Sequence, residues 1–275
     1  MCAGVYTPRT PFFRGESSQS AITIFFRKSD LFLQLERVAK SFKGLMAVNF
    51  VTMQVNEGEI LGLIGPNGAG KTTLFNLITG VYPPSQGQVL FEGKDITSTA
   101  PHARCWMGIA RTFQLVRPFP NMTVLENVAT GRVYGHHGVK KRHQAETEAI
   151  DVLEKVGLAS MATTKAHSLT LVDRKRLELA RALATKPKLL LLDELLAGLN
   201  PSEVLVSMEL IQSIRDSGIT IIMVEHLIKA VFGVANRMVV LNAGELIAEG
   251  TPGEVANNER VIDAYLGKSY HAHLT

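Results

Sequence analysis

The stretch "GPNGAGKTT", from Gly65 to Thr73, fits the pattern G-x-x-x-x-G-K-[ST] of a loop that cradles phosphate groups. An apolar run, "EILGLIG", precedes it and a helical pattern, "KTTLFNLITG", follows it. Glycines let the backbone curl there, so that successive N–H groups and a helix N-terminus point into one anion-sized hollow. The sequence therefore predicts a nucleoside triphosphate site, in which Lys71 reaches the β and γ phosphates and the Thr72 hydroxyl binds Mg²⁺. The nucleotide-binding residues expected here are Gly65, Pro66, Asn67, Gly68, Ala69, Gly70, Lys71, Thr72 and Thr73.

A second motif, "LLLLDE", ends a later apolar run and supplies two carboxylates. Asp193 suits Mg²⁺ binding. Glu194 comes one residue later and is expected on the other side of the strand, where it suits activation of the attacking water. The alternative is that the acidic pair caps the following helix. Beside a phosphate loop, the catalytic interpretation is favoured.

Composition places the chain among ordinary globular proteins: 275 residues, 46% apolar and 20% charged. The net charge of +4 is spread along the chain, which predicts no nucleic-acid partner and equally fits an anionic membrane surface. Cys2 and Cys105 have no metal-type or redox-type spacing, which favours a reducing compartment. No run approaches the roughly 18 apolar residues of a membrane span.

The pattern of strands and helices predicts an α/β fold. Early strands with Gly turns favour an antiparallel β layer, and later buried strands that alternate with helices favour a mostly parallel sheet covered on both faces. Helical spacing in "RHQAETEAIDVLEKVGL" places Ala149, Val152, Leu153 and Val156 on one apolar stripe of an inserted helical subdomain, about 115–180. The whole domain is expected over 31–267, after a disordered extension at 1–30 and before a tail at 268–275.

Further motifs identify the chain as similar to the ATP-binding cassette (ABC) ATPases, with a P-loop NTPase core. These motifs are Gln114 in "RTFQ", the acidic pair, "AGLNP" at 197–201 and His226 in "VEH", in the family's order. The resemblance implies that Gln114 senses the metal and the γ phosphate, and that His226 is the γ-phosphate switch. It implies that Phe42 in "KSFKG" stacks on adenine. Core packing remains the alternative for Phe42, and a merely hydrogen-bonded strand-end histidine the alternative for His226.

Within that family the stretches "MTVLENV", "AGLNPSE" and "GELIAEGTP" are most similar to ATPases of branched-chain amino acid importers. Urea, amide and lipopolysaccharide transporters have closely similar ATPases. The resemblance implies ATP hydrolysis with Mg²⁺, transmembrane permease subunits, a second ABC ATPase subunit and, indirectly, a periplasmic solute-binding protein. It implies a peripheral place at the cytoplasmic face of the plasma membrane. The other functions considered are a soluble cassette of DNA repair or translation and a nucleotide-binding regulator.

One motif departs from the family. Where the family has L-S-G-G-Q or L-S-Y-G-Q, residues 169–173 read "LTLVD", and we call them the signature loop. Thr170 keeps a hydroxyl for the nucleotide, but Val172 replaces a glycine whose bare N–H meets the partner's γ phosphate, and Asp173 adds negative charge. The resemblance implies dimers with two shared nucleotide sites. We therefore expect a heterodimer with one competent and one weak site, with a homodimer as the alternative.

Two histidine pairs, His136 with His137 and His271 with His273, have no accompanying carboxylate or cysteine framework, so solvated histidines are the favoured interpretation. The basic run "VKKRH" at 139–143 is interpreted as a solvated charge run rather than a nucleic-acid patch.

Overall fold

A computed structural model describes residues 32–114 and 117–266 of the chain. The predicted extension at 1–30, the tail at 268–275 and the pair His271 and His273 lie outside the described residues. The described part contains two sheets and the helices that cover them. Its strands are β1 (Leu33–Phe42), β2 (Leu45–Val55), β3 (Ile60–Ile64), β4 (Gln86–Phe91), β5 (Lys94–Asp95), β6 (Ile109–Arg111), β7 (Leu189–Asp193), β8 (Thr220–Val224), β9 (Arg237–Asn242) and β10 (Glu245–Gly250).

The helices follow the strands in chain order as α1 (Lys71–Ile78), α2 (Pro101–Trp106), α3 (Val124–Tyr134), α4 (Arg142–Lys155), α5 (Leu171–Ala184), α6 (Pro201–Asp216), α7 (Ile228–Val234), α8 (Pro252–Ala256) and α9 (Glu259–Leu266). Two 3₁₀ turns, Ala159–Met161 and Ala166–Ser168, separate α4 from α5. Among the described residues, no helix has both the length and the apolar character that crossing a bilayer requires.

The central sheet has six strands in the order β10-β9-β3-β8-β7-β6. All its neighbours are parallel except β10 with β9. Strands β3, β7 and β8 are buried at every residue, which explains why their sequences are continuous apolar runs rather than alternating ones. Successive side chains of β7 enter cores on opposite faces of the sheet, Leu190 and Leu192 on one and Leu189 and Leu191 on the other.

This parallel arrangement decides where the chemistry lies. The carboxyl ends of β3, β8 and β7 meet at one edge of the sheet, and the chain leaves them as Gly65, Glu225 and Glu194. The two motifs that the sequence places far apart are therefore brought to the same edge by the topology.

The antiparallel layer is a four-stranded sheet in the order β2-β1-β4-β5. It contains the hairpins predicted from the Gly turns. Its inner face packs on α1 and the central sheet, because Leu33, Leu35, Val89 and Phe91 share one buried core with Leu74 and Phe75.

The helical insertion lies between β6 and β7 and is built on α3, α4 and α5. Of the predicted stripe on α4, Ala149, Leu153 and Val156 are buried and Val152 is half-buried. The α/β class with a mostly parallel sheet, an antiparallel layer and a helical insertion is confirmed. The domain limits at 31–267 and about 115–180 stay predictions.

Four short elements, α2, β6, α8 and α9, were not predicted. Helix α2 contains a buried cation, Arg104, which is 1% exposed. Its guanidinium donates hydrogen bonds to five backbone carbonyls, those of Leu77, Ile78, Ile96, Thr97 and Thr99. Burial lowers the pKa of Arg104 to about 10, and the group stays charged at neutral pH. It joins α2 to the carboxyl end of α1, where exposed carbonyls and the helix dipole favour a cation.

Candidate functional site

The phosphate loop leaves β3 at Ile64 and enters α1 at Lys71. Two of its glycines are required by close packing. A Cβ on Gly65 would lie 2.1 Å from the carbonyl oxygen of Leu241, and one on Gly70, where φ is 101°, would lie 2.4 Å from that of Ala47. The loop is therefore pressed against β9 and β2, and its open side faces the sheet edge.

Lys71 is buried, with 7% of its surface exposed. Its Nζ donates to the carbonyl oxygens of Gly65 at 2.7 Å and Pro66 at 3.0 Å, so the ammonium is held over the loop. Burial lowers the pKa of Lys71, and the charges of Glu194 and Asp193 act in the opposite direction. The lysine predicted to bind phosphate thus lies within electrostatic reach of both carboxylates of the acidic pair.

Glu194 is the centre of a hydrogen-bonded chain of three predicted residues. Its Oε2 accepts from Gln114 Nε2 at 2.6 Å, and its Oε1 lies 2.8 Å from His226 Nε2. The expectation that strand alternation directs the Glu194 side chain is wrong. Strand β7 ends at Asp193, and Glu194 has the left-handed φ of 50°, so a turn rather than strand alternation directs its side chain.

Asp193 lies at the buried end of β7 and pairs with Arg111, whose Nη2 is 2.6 Å from Oδ2. Arg111 also donates to Asn76 Oδ1 on α1 at 2.5 Å, and the backbone N–H of Asp193 donates to Thr112 Oγ1 at 3.1 Å. The aspartate is fixed from two sides. It is a charged oxygen donor beside the first turn of α1, which begins with Lys71 and Thr72.

A cleft of about 200 Å³ opens over the loop. Its lining joins the phosphate loop to the two catalytic candidates, and consists of Ala47, Asn67, Gly68, Ala69, Gly70, Lys71, Thr72, Thr73, Glu194 and His226. Phe42 is not part of this lining. It lies at the end of β1, 38% exposed, packed edge-to-face on Tyr82 with 5.2 Å between ring centroids and with Lys40 above it.

The signature loop lies away from this cleft, at the start of α5. Thr170 caps the helix: its Oγ1 donates to Asp173 Oδ2 at 2.6 Å and accepts from the Asp173 N–H at 3.2 Å. The hydroxyl proton expected to meet a nucleotide is therefore engaged within the loop. No residue of 169–173 has a positive φ, so the Val172 side chain adds bulk at this place without straining the backbone. Leu171 is 56% exposed.

Sequence reasoning missed three charged residues around the acidic pair. Arg111 ends β6, Lys175 lies on the buried face of α5, and Glu225 stands between β8 and His226. Lys175 Nζ donates to the carbonyls of Glu194 and Leu195, and Glu225 Oε1 accepts from the Leu196 N–H. For Arg111 and Glu225 the available signal was a charge beside an apolar strand run, since a buried charge is rare unless it is paired or hydrogen-bonded. Lys175 lies in the charged run "DRKR" and gave no such signal.

A phosphate loop between a parallel strand and a helix, near an acidic pair at the end of another parallel strand of the same sheet, defines the class of P-loop ATPases. Comparison with known proteins gives the family. The sequence profile "ABC transporter" matches residues 48–197, and the profile "Branched-chain amino acid ATP-binding cassette transporter" matches residues 245–271. The chain belongs to the ABC transporter family, as an ATP-binding cassette ATPase, and the resemblance drawn from its motifs is confirmed.

Two curated relatives show the range of similar proteins. The "High-affinity branched-chain amino acid transport ATP-binding protein LivG" of Salmonella typhimurium is 42% identical over 241 residues, which cover 83% of this chain and 94% of the relative. The "Lipopolysaccharide export system ATP-binding protein LptB" of Escherichia coli is 35% identical over 238 residues, which cover 86% of this chain and 98% of the relative.

Solved structures agree in fold. The ADP conformation of an ATP-binding cassette of an ABC transporter superposes with a TM-score of 0.79 at 33% identity, covering 86% of this chain and 99% of the other. A dimeric ATP-binding cassette in a post-hydrolysis state with ADP and Pi has a TM-score of 0.73 at 26% identity, covering 80% of this chain and 99% of the other.

Proposed function

We propose that this chain is the ATP-binding and ATP-hydrolysing subunit of a branched-chain amino acid importer. The observation that carries the proposal is the chain of hydrogen bonds from Gln114 through Glu194 to His226, beside the phosphate loop. Glu194 is held by two side chains at the mouth of the cleft, as a group that readies water must be. Gln114 and His226 are proposed to sense the γ phosphate through these contacts with Glu194.

In this proposal the loop residues from Gly65 to Thr73 wrap the phosphates with backbone N–H groups, and Lys71 binds the β and γ phosphates. The residues proposed for Mg²⁺ are Thr72, Asp193 and Gln114, all oxygen donors, which are the ligands this ion prefers. Among the described residues, no group of three His, Cys, Asp or Glu side chains could hold a metal by itself. A Mg²⁺ ion held by Thr72, Asp193 and Gln114 would neutralise charge on the bound phosphates.

Phe42 is proposed to meet the adenine ring. Its partly exposed ring, together with Tyr82 and the Lys40 ammonium, forms an aromatic and cationic surface at the end of β1. Such a surface suits stacking of a base.

A partner of the membrane-spanning kind is proposed to dock in a second cavity, of about 390 Å³. Its walls come from β6 and from α2, α3 and α5, and they include the exposed aromatic rings of Phe113, Phe119 and Tyr134. Phe113 adjoins Gln114, so a permease helix seated there would contact the nucleotide-sensing segment directly. In this proposal the chain binds peripherally at the cytoplasmic face of the plasma membrane, held there by the permease.

The amino acid solute is proposed from the name of the LivG relative and from the branched-chain profile at 245–271. Lipopolysaccharide export is the alternative, because LptB is also similar. Proteins that co-purify with the full-length chain in detergent decide between them. A permease pair and a periplasmic amino acid receptor are expected, and lipopolysaccharide-binding components instead would reject the importer.

We also propose that the chain works in a heterodimer in which its own nucleotide meets the partner's signature loop and is hydrolysed, whereas the partner's nucleotide meets Val172 and turns over slowly. The Thr170–Asp173 hydrogen bonds support this, since they withdraw the hydroxyl and leave a negative charge at the helix start. Single-turnover hydrolysis with Glu194→Gln here is expected to fall far more than with the equivalent change in the partner. Equal losses would reject the asymmetry.

Nucleotide binding itself is tested with Lys71→Ala. Removing the buried ammonium is expected to weaken binding of labelled ATP by about 100-fold or more, since a charge-assisted contact to a polyphosphate is lost. Lys94→Ala is the matched control, because Lys94 is an exposed lysine of the β4–β5 hairpin. Unchanged binding by Lys71→Ala would overturn the whole assignment.

A further inference from the structure

The residues Glu194–Leu196, which we call the catalytic turn, hold an unfavourable backbone shape. Glu194 has φ of 50°, a conformation that costs a residue with a side chain about 1 kcal/mol or more. Nothing in the turn's own sequence favours that shape. The conformation that directs the catalytic carboxylate must therefore be maintained by its surroundings.

Lys175 and Glu225 supply much of that support. Lys175 Nζ donates to the carbonyl oxygens of Glu194 at 3.1 Å and Leu195 at 2.9 Å. Glu225 Oε1 accepts from the N–H of Leu196 at 2.8 Å. The backbone adds a hydrogen bond from the Glu194 N–H to the Val224 carbonyl, 2.9 Å, and a longer one from the Ala197 N–H to the Glu194 carbonyl, 3.4 Å. Every residue of the turn is thus hydrogen-bonded to α5 or to the end of β8.

Both charged groups are buried away from the cleft over the phosphate loop. Lys175 is 7% exposed and Glu225 is 4% exposed, and neither lines the cleft over the phosphate loop. Burial is the largest influence on both, lowering the pKa of Lys175 and raising that of Glu225, while each group's charge opposes the other's shift. Buried charges of this kind are often less stabilising than apolar side chains of the same size. A role in geometry accounts for their presence better than a role in stability.

We propose that Lys175, braced by Glu225, is a positioning residue that fixes the catalytic turn and with it the direction of the Glu194 carboxylate. The inference rests on the proposed hydrolytic role of Glu194. The Lys175 ammonium holds the backbone of the turn, whereas Gln114 and His226 contact the Glu194 carboxylate. Because Lys175 lies two residues beyond the signature loop on α5, it also joins that loop to this chain's own acidic pair.

The test uses the full-length chain assembled with its partner subunits. Lys175→Met keeps the length of the apolar stem and removes both hydrogen bonds. We expect kcat for ATP hydrolysis to fall about 10- to 100-fold, because small misplacements of a catalytic group have effects of that size. The Kd for labelled ATP should stay within about twofold, since the phosphate loop is untouched. Lys175→Arg, which can still donate to two carbonyls, should recover most of the rate.

Arg176→Met is the matched control. It removes one positive charge from the neighbouring position of α5, and Arg176 is half-buried and donates no hydrogen bond to the catalytic turn. Its kcat should stay within about twofold of the parent. A comparable loss in this variant would show that any charge removed from α5 has the same effect, and would overturn the proposal.

A double-mutant cycle separates positioning from general structural damage. If Lys175 acts through Glu194, Lys175→Met should slow Glu194→Gln no further, because the carboxylate it orients is already absent. A further drop of about 10-fold or more would reject the proposal. Should Lys175→Met not fold, Lys175→Gln and Lys175→Arg decide, with a slow Gln variant and a fast Arg variant expected. Equal rates in those two would reject it. Loss of ATP binding in Lys71→Ala bears on the nucleotide site alone, so the two proposals fail separately.

Discussion

The cleft over the phosphate loop and the signature loop are both expected to face nucleotide, yet they are built differently. Around the cleft each candidate residue is held by groups outside its own side chain: Lys71 by two backbone carbonyls, Asp193 by Arg111, and Glu194 by Gln114 and His226. In the signature loop Thr170 and Asp173 hydrogen-bond to each other, and Leu171 is exposed. The difference shows that keeping a hydroxyl at position 170 does not keep it available.

The largest expected effect tests the cleft. His226→Ala removes one of the two side-chain contacts of Glu194, and we expect kcat for ATP hydrolysis to fall about 100-fold or more with little change in the Kd for ATP. His143→Ala, at an exposed position of α4, is the control. A His226→Ala protein that hydrolyses ATP normally would remove the main support for a catalytic assembly at this edge.

The next effect concerns the charge buried behind the cleft. Burial raises the pKa of Glu225 from 4.5 to about 7. Between those pH values the folded protein keeps a proton that the unfolded chain has released. The contribution of Glu225 to the free energy of unfolding therefore falls as pH rises from 4.5 to 7 and is constant above pH 7. Glu225→Gln should remove that fall. Its free energy of unfolding relative to the parent should therefore rise by up to about 3 kcal/mol between pH 4 and pH 8.

Urea unfolding at several pH values measures it, with the exposed Glu209→Gln on α6 as the control. If the parent and Glu225→Gln lose stability in parallel over this range, the carboxyl is not held in its protonated form by the fold.

A smaller effect is expected from repairing the signature loop. In a Glu194→Gln background, turnover by the heterodimer reports the partner's nucleotide site. Adding Val172→Gly and Asp173→Gln should raise that turnover about 10-fold, because a backbone N–H becomes accessible and a repelling charge is removed. Val172→Ala, which keeps a side chain, is the control. No gain from the repaired loop would mean that this loop does not limit the partner's site.

The smallest effect is expected at Thr170. Thr170→Ala removes the cap of α5, which should cost about 1 kcal/mol of stability in urea unfolding, whereas hydrolysis at this chain's own site should barely change. Thr170→Ser retains the hydroxyl and should behave like the parent. In a Glu194→Gln background, where turnover reports the partner's nucleotide site, a large loss of hydrolysis with intact stability would show that the hydroxyl reaches the partner's nucleotide after all.

The sequence predicted the sheet and the cleft well because their signals are local and redundant. The loop at 65–73 has a strand before it and a helix after it, and the runs that became β7 and β8 are apolar except for Asp193 and Thr220. The short elements α2 and β6 were missed because a six-residue helix and a three-residue edge strand have too few turns or alternations to establish a period.

The supporting contacts were missed for a different reason. The Lys175 ammonium meets the Glu194 carbonyl across 19 positions of sequence, and Arg111 meets Asp193 across 82. Such pairings depend on strand order and on which face of α5 turns inward, and neither follows from residue types alone. The direction of Glu194 likewise depends on a left-handed turn that a glutamate seldom adopts, which no propensity argument would assign.

Arg104 carries a consequence for motion. Arg104 donates hydrogen bonds to the last carbonyls of α1 and to those of the segment 96–99. It thereby fixes the carboxyl end of α1 to the segment that follows the antiparallel sheet. Swinging α1 as a lever would break several buried bonds at once. During a catalytic cycle we therefore expect α1 to keep its position relative to the antiparallel sheet. The movement is expected at the junctions of α3, α4 and α5 instead.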